Sequence, residues 1–163
     1  MADIQYSTLL NYFRDIQTKH VDLSSFFRFD RSEIMNKMRK GVNYPALLLE
    51  DFDIDLNENT GQNKYEGFEV NILVIKHAKQ NDYDDIELKL GECLEIVREI
   101  ERRVTADSEN PDHWLYNRYD ANSTLIHKVG PIFSDPCYGY RLSTTLENTV
   151  SKRMPNTDKW SDL

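Results

Sequence analysis

The feature that most constrains this chain is a single long stretch of helical period. From Asp82 to about Thr105, the residues Ile86, Leu90, Leu94, Val97, Ile100 and Val104 recur at spacings of three and four, while Glu, Lys and Arg fill the remaining faces. The pattern predicts a long amphipathic helix whose apolar stripe must lie on a partner layer. Asp82, Asp84 and Asp85 fall at its start and Arg98, Arg102 and Arg103 near its end, the charge order that a helix dipole favours.

The partner layer is legible on both sides of that helix. Upstream, YPALLLEDFDIDLNEN passes from an apolar run into alternation, with Phe52, Ile54 and Leu56 interleaved with Asp51, Asp53 and Asp55. That is the period of a half-buried strand. Asn57 to Asn63 reads as a turn, and GFEVNILVIKHAK follows as a second strand with Phe68, Val70, Ile72 and Val74 on one face. The two are expected to pair as an antiparallel hairpin.

Downstream, the irregular, aromatic-rich stretch DSENPDHWLYNRYDANS leads to two last strands, STLIHKVGPIF and YGYRLSTTLEN, joined through SDPC. Near the N-terminus Ile4, Thr8, Leu9, Tyr12, Phe13 and Ile16 share a helical face, predicting a helix over 4–19. Between this helix and the first strand, VDLSSFFRFDRSEIMNKMRKG reads as a connector followed by a short helix from Ser32 to before Gly41.

The expected fold is α+β: a mostly antiparallel four-stranded sheet with the long helix packed on one face, plus an N-terminal helix. A chain of 163 residues, 39% hydrophobic, suits one such domain over 1–147. The tail 148–163 has no clear period and is expected to be exposed or held by a partner. No window approaches the roughly 18 consecutive apolar residues of a membrane span, and the first residues lack a signal-peptide layout. A cytosolic protein without membrane contact is therefore expected.

The residues that could carry chemistry fail on context. Asp51, Asp53 and Asp55, flanked by Glu50 and Glu58, begin like a calcium loop, but Leu56 stands where glycine is needed and Gln62 where a bidentate Glu belongs. A solvated strand face is the simpler reading, with a metal-dependent nuclease or hydrolase built on these three aspartates as the alternative. Asp84, Glu87 and Lys89 superficially offer a nuclease set, yet Glu87 and Lys89 at i and i+2 of a helix point apart. His20, His77, His113 and His127 are scattered, and no GxSxG elbow or phosphate-cradling glycine loop exists among six glycines. Neither a catalytic residue nor a cofactor is expected. Cys93 and Cys137 lack metal spacing and both read as reduced and buried; Cys93 sits beside the helical stripe, and Cys137, which follows a proline in a turn, reads as the more exposed of the two.

Two features point to binding instead. Trp114, Tyr116 and Tyr119, then Tyr138 and Tyr140, cluster late in the chain with Arg118 and Arg141 between them, and Trp160 lies in the tail. Aromatics with Arg stack on single-stranded bases or, equally, make protein interfaces. A net charge of -8 opposes wrapping the outside of DNA and favours an interface or core role for these aromatics. The same charge suits a channel wall past which DNA slides without sticking. A peptide-binding module that uses an open sheet edge is a further alternative.

The element order, with the motifs YPALLLE, GFEVNILVIK, VGPIF and YGYRLSTTL around one long amphipathic helix, resembles the tail-terminator and head-to-tail completion proteins of tailed bacteriophages over 44–146. The resemblance implies a virion structural subunit without catalytic residues, made in the host cytoplasm and placed at the neck or tail. It implies a homo-oligomeric ring, hexameric or twelve-fold, that joins portal, neck or tail-tube proteins and lets DNA pass through its lumen. Rings use two unlike patches per subunit. Trp114, Tyr116, Tyr119, Tyr138, Tyr140 and Trp160 are the candidate interface residues, and Asp51, Asp53 and Asp55 the candidate lumen-facing acids.

Overall fold

The computed structural model describes residues 4–29, 42–60, 63–132 and 136–151. In chain order the elements are α1 (Tyr6–Lys19), β1 (Ser25–Phe29), β2 (Ala46–Glu50), β3 (Asp53–Thr60), β4 (Asn63–His77), α2 (Tyr83–Glu109), a 3-10 turn (Ala121–Ser123), β5 (Leu125–Ile132) and β6 (Cys137–Ser151). The fold is α+β; among the described residues two helices lie against a sheet ordered β1-β2-β4-β6-β5, with β3 paired to the far half of β4.

Among the described residues the sheet has six strands rather than the expected four, and it is mixed. One added strand is β1, which the connector reading missed. It pairs parallel to β2, Phe26 opposite Leu47 and Phe27 opposite Leu48; Phe26 packs on the main core and Phe27 on a second cluster behind the sheet, so its sequence is a dense apolar run instead of an alternation. The other comes from dividing the expected first strand. β2 pairs with β4 as far as Leu49 opposite Ile72, and β3 resumes at Asp53 opposite Glu69, so four steps on one side span three on the other. This one-residue bulge reverses the alternation: Leu47 and Leu49 face the helices before it, Phe52, Ile54 and Leu56 after it.

β4 and β6 are 15-residue strands paired along their whole length, from Asn63 opposite Ser151 to His77 opposite Cys137. The ribbon is about 50 Å long at the strand rise, longer than α2 at about 40 Å. β6 therefore runs through the expected domain boundary at 147. Asn148, placed in the tail by the sequence, is 1% exposed and donates its amide to Glu66 Oε2 at 2.9 Å. The expected helix from Ser32, the tip of the β3–β4 turn, the SDPC junction up to Asp135 and the tail beyond Ser151 lie outside the described residues.

One sheet face carries the main core. Leu47, Leu49, Phe68, Val70, Ile72, Val74, Leu142 and Leu146 meet Leu9, Tyr12, Phe13 and Ile16 of α1 and Cys93, Ile96, Val97, Ile100 and Val104 of α2. Among the described residues the apolar burial of the other face is at one end, where Ala46, Leu48, Leu73, Ile75 and Cys137 form the second cluster. α2 starts as its sequence predicts: Asp82 is the N-cap and accepts from the Asp85 N–H at 3.1 Å. Its C-terminal charge order is different, because the helix continues to Glu109 and its last turn holds no base. Arg98, Arg102 and Arg103 are mid-helix and pair with Glu95, Glu99 and Asp107. Among the described residues no helix is long and apolar enough to cross a membrane.

Candidate assembly surface

The late aromatic residues do not form one exposed patch. Trp114 stands edge-on to Tyr12 with ring centroids 5.4 Å apart and packs against the main core, as do Tyr119 and Tyr140. Tyr119 donates to Glu101 Oε1 at 3.0 Å and accepts from Thr124 at 2.9 Å, fastening the loop after α2 to the helix. Tyr116 and Tyr138 are half-buried, and Trp160 lies outside the described residues. The two arginines do not line up with them on the surface. Arg118 is buried, and Arg141 forms an ion pair with Glu50 across β4 on the opposite face of the sheet.

The three aspartates are also divided. Asp51 lies at the bulge, where Arg28 Nε donates to its Oδ1 at 2.8 Å and the Tyr6 hydroxyl approaches at 3.5 Å. Arg28 in turn lies over the Tyr6 ring, 5.0 Å from its centroid. Asp53 and Asp55 point instead to the back face of β3. Directly opposite Asp53 is Glu69 of β4, and Asp55 faces Gly67, with Glu147 of β6 next in the row. Asp53, Glu69 and Glu147 are exposed, and none makes an ion pair or side-chain hydrogen bond among the described residues. Like charges placed directly opposite on neighbouring strands repel and are destabilising.

The other side of the same strand is apolar and only partly covered. Phe52 stacks on Tyr6 at 5.2 Å and lies 5.7 Å from Phe68, so it belongs to the core edge. Beyond it the helices give out: Ile54 is 51% exposed and Leu56 73%. The sequence marked both as the inward side of a half-buried strand. Their alternation is as expected, but the layer that should cover them ends short of them. β3, the far half of β4 and the far half of β6 thus form a three-stranded arm with an apolar row on one face and an acidic row on the other. β3 is its outer strand and has no second strand partner among the described residues.

Elsewhere several polar groups are engaged within the chain, although the buried His127 Nδ1 and Arg141 Nε have no hydrogen-bond partner among the described residues. Lys89 lies 3.9 Å from Asp85 and 3.7 Å from Glu92, while Asp84 and Glu87 are exposed, so the Asp84, Glu87 and Lys89 set does not converge. Hydrogen bonding to Lys76 holds the Glu92 carboxyl below its ordinary range. A cleft of about 390 Å³ between the end of α1 and α2 is lined by Tyr12, Asp15, Lys19, His20, Glu99 and Arg103. Lys19 pairs with Asp15, Glu99 with Arg102 and Arg103 with Asp107, while Asp22 lines the cleft without an ion pair among the described residues. Among the described residues no three of His, Cys, Asp and Glu are grouped as metal ligands would be. Both cysteines are free and buried. Cys137, expected to be the more exposed of the two, is 1% exposed, its sulfur 3.3 Å from the Tyr44 hydroxyl, because the strand begins at this residue and turns it into the second cluster.

The site is thus a surface of an α+β sheet protein, not a pocket. No family model and no curated protein matches the chain. Glu69, Glu147 and the uncovered state of Ile54 and Leu56 escaped the sequence reading. Glu69 sits between Phe68 and Val70 as any outward strand residue does, and only the register reveals that it faces Asp53.

Proposed function

We propose that this protein is a ring-forming structural subunit of a phage neck or tail, of the tail-terminator or head-to-tail connector kind. The observation that carries the proposal is the arm. A sheet that outruns its helices and ends in an exposed Ile54 and Leu56 has a surface that another chain completes. A connector subunit has neighbours beside it and neighbours above or below it, and contact in two directions asks for unlike surfaces on one molecule. The arm differs from the opposite edge, where β5 carries exposed Lys128, a bulge after Val129 and Pro131, devices that discourage strand addition.

The acidic row of Asp53, Asp55, Glu69 and Glu147 suits a wall that DNA passes without sticking, and it also suits a seat for a cationic neighbour. The location of Asp53 on the open outer strand favours the seat. The proposal is tested by imaging the purified chain by negative-stain electron microscopy at high concentration: closed rings with a central channel support it, and uniformly monomeric particles count against it.

A further inference from the structure

We infer that the outer edge of β3 accepts an extended strand from a different protein, one that alternates apolar residues with Lys or Arg. The inference deepens the assembly reading, naming the chemistry of the neighbour that the arm receives. Three observations converge on it. The outer backbone edge of β3 has no strand partner among the described residues, so alternate N–H and C=O groups point outward. On the helix-facing side, Ile54 and Leu56 stand exposed at alternate positions, the spacing at which an added strand would set apolar side chains beside them. On the back face, Asp53 and Glu69 oppose each other without a cation.

An added strand extends the row from Glu69 through Asp53 to one further position on the same face. A Lys or Arg there lies directly across from Asp53 and in diagonal reach of Glu69, turning a repulsive pair into an alternating triad. The same acids exclude a second copy of β3, since two such edges would bring four or more carboxylates together. The other described strands of this chain do not fit as donors either: none carries Lys or Arg at successive alternate positions, and Arg28 of β1 is already bound to Asp51. Strand addition gives affinity through backbone hydrogen bonds and specificity through alternate side chains, and here the specificity is for positive charge.

The probe is a synthetic eight-residue peptide alternating valine and lysine, compared with its valine–glutamate counterpart, titrated into the full chain at low and high salt. Binding of the lysine peptide, about fivefold to tenfold weaker in Asp53→Lys and weaker in salt, is expected from one or two cross-strand charge contacts. Asp53→Asn is the milder second variant and should give a smaller loss in the same direction. Amide hydrogen exchange should slow over 53–56 when the peptide binds. Absence of binding, equal binding of the glutamate peptide, or binding unchanged by Asp53→Lys would overturn the inference. Light scattering on the same samples separates the two readings: a ring that ignores the peptide removes only this inference, and a monomer that binds it removes only the ring.

Discussion

The hydroxyl of Tyr12 donates to Oδ2 of Asp107 at 2.9 Å, across 95 positions of sequence, and ties α1 to the C-terminal end of α2. The same oxygen accepts from Arg103 Nε at 2.7 Å, so one buried carboxylate serves both helices. Asp107 is 7% exposed, a burial that needs these donors.

Removing the tyrosine hydroxyl leaves Asp107 with Arg103 alone. Tyr12→Phe is expected to cost about 1–2 kcal/mol, the price of one buried hydrogen bond to a charged group, read as a lower midpoint in urea with an unchanged slope. A change in slope instead would mean that the helix pairing itself had loosened.

The same carboxylate sets a pH dependence. Burial works to raise the Asp107 pKa, but the hydrogen bonds from Arg103 and Tyr12, with the Arg103 charge, outweigh it and hold the carboxyl below its ordinary range. A depressed folded value stabilises fully above the unfolded value of about 3.9 and is lost as pH falls through the folded one. The gap in Tm between the parent and Asp107→Asn should therefore be constant above about pH 5 and shrink as the solution is acidified toward pH 3. A gap that widens on acidification would contradict this assignment.

On the opposite face, Glu50 and Arg141 form an ion pair across β4 with side chains 11% and 20% exposed. Breaking it from one side leaves a desolvated charge, so Arg141→Met should destabilise by about 2–4 kcal/mol, whereas the Glu50→Leu, Arg141→Met pair should recover most of that loss. Chemical denaturation of the two single variants and the double variant measures the coupling.

Gly139 of β6 leaves no room for a side chain against β4. A Cβ there would lie 1.8 Å from the Val74 carbonyl oxygen, which is backbone and has nowhere to move. Gly139→Ala is expected to cost at least about 3 kcal/mol, and a soluble chain of parental stability would show that the strands can part.

Much of this architecture was legible in the sequence because it is periodic. The stripe of α1 and the Phe68, Val70, Ile72, Val74 row follow from spacing alone; that of α2 is as expected at Val97, Ile100 and Val104, while upstream the buried positions are Cys93 and Ile96 rather than Leu90 and Leu94. The misses share a different cause. Phe26 and Phe27 lie in a strand that packs apolar residues on both sides, which has no alternation to read. The Leu49-to-Asp53 bulge is a property of pairing, invisible in one strand by itself. Cys137 looked like a turn residue by its neighbours, yet its own position opens β6. The late aromatics have the composition of an interface, but Tyr12 and Glu101, distant in sequence, draw Trp114 and Tyr119 inward.

The thiols give a direct check on the burial of Cys137. Desolvation pushes the Cys93 thiol up to about 12, and Cys137 is fully covered, so neither should react with a thiol reagent at neutral pH until the chain unfolds. One equivalent of fast-reacting thiol in the native state would mean that Cys137 is at the surface after all.

The most direct test of the account is the mass of the purified chain in solution, by light scattering over a range of concentrations and salt, with a version ending at Ser151 as comparison. The account predicts a closed ring of defined mass, or a monomer that converts to one as concentration rises. A strict monomer under every condition would contradict it.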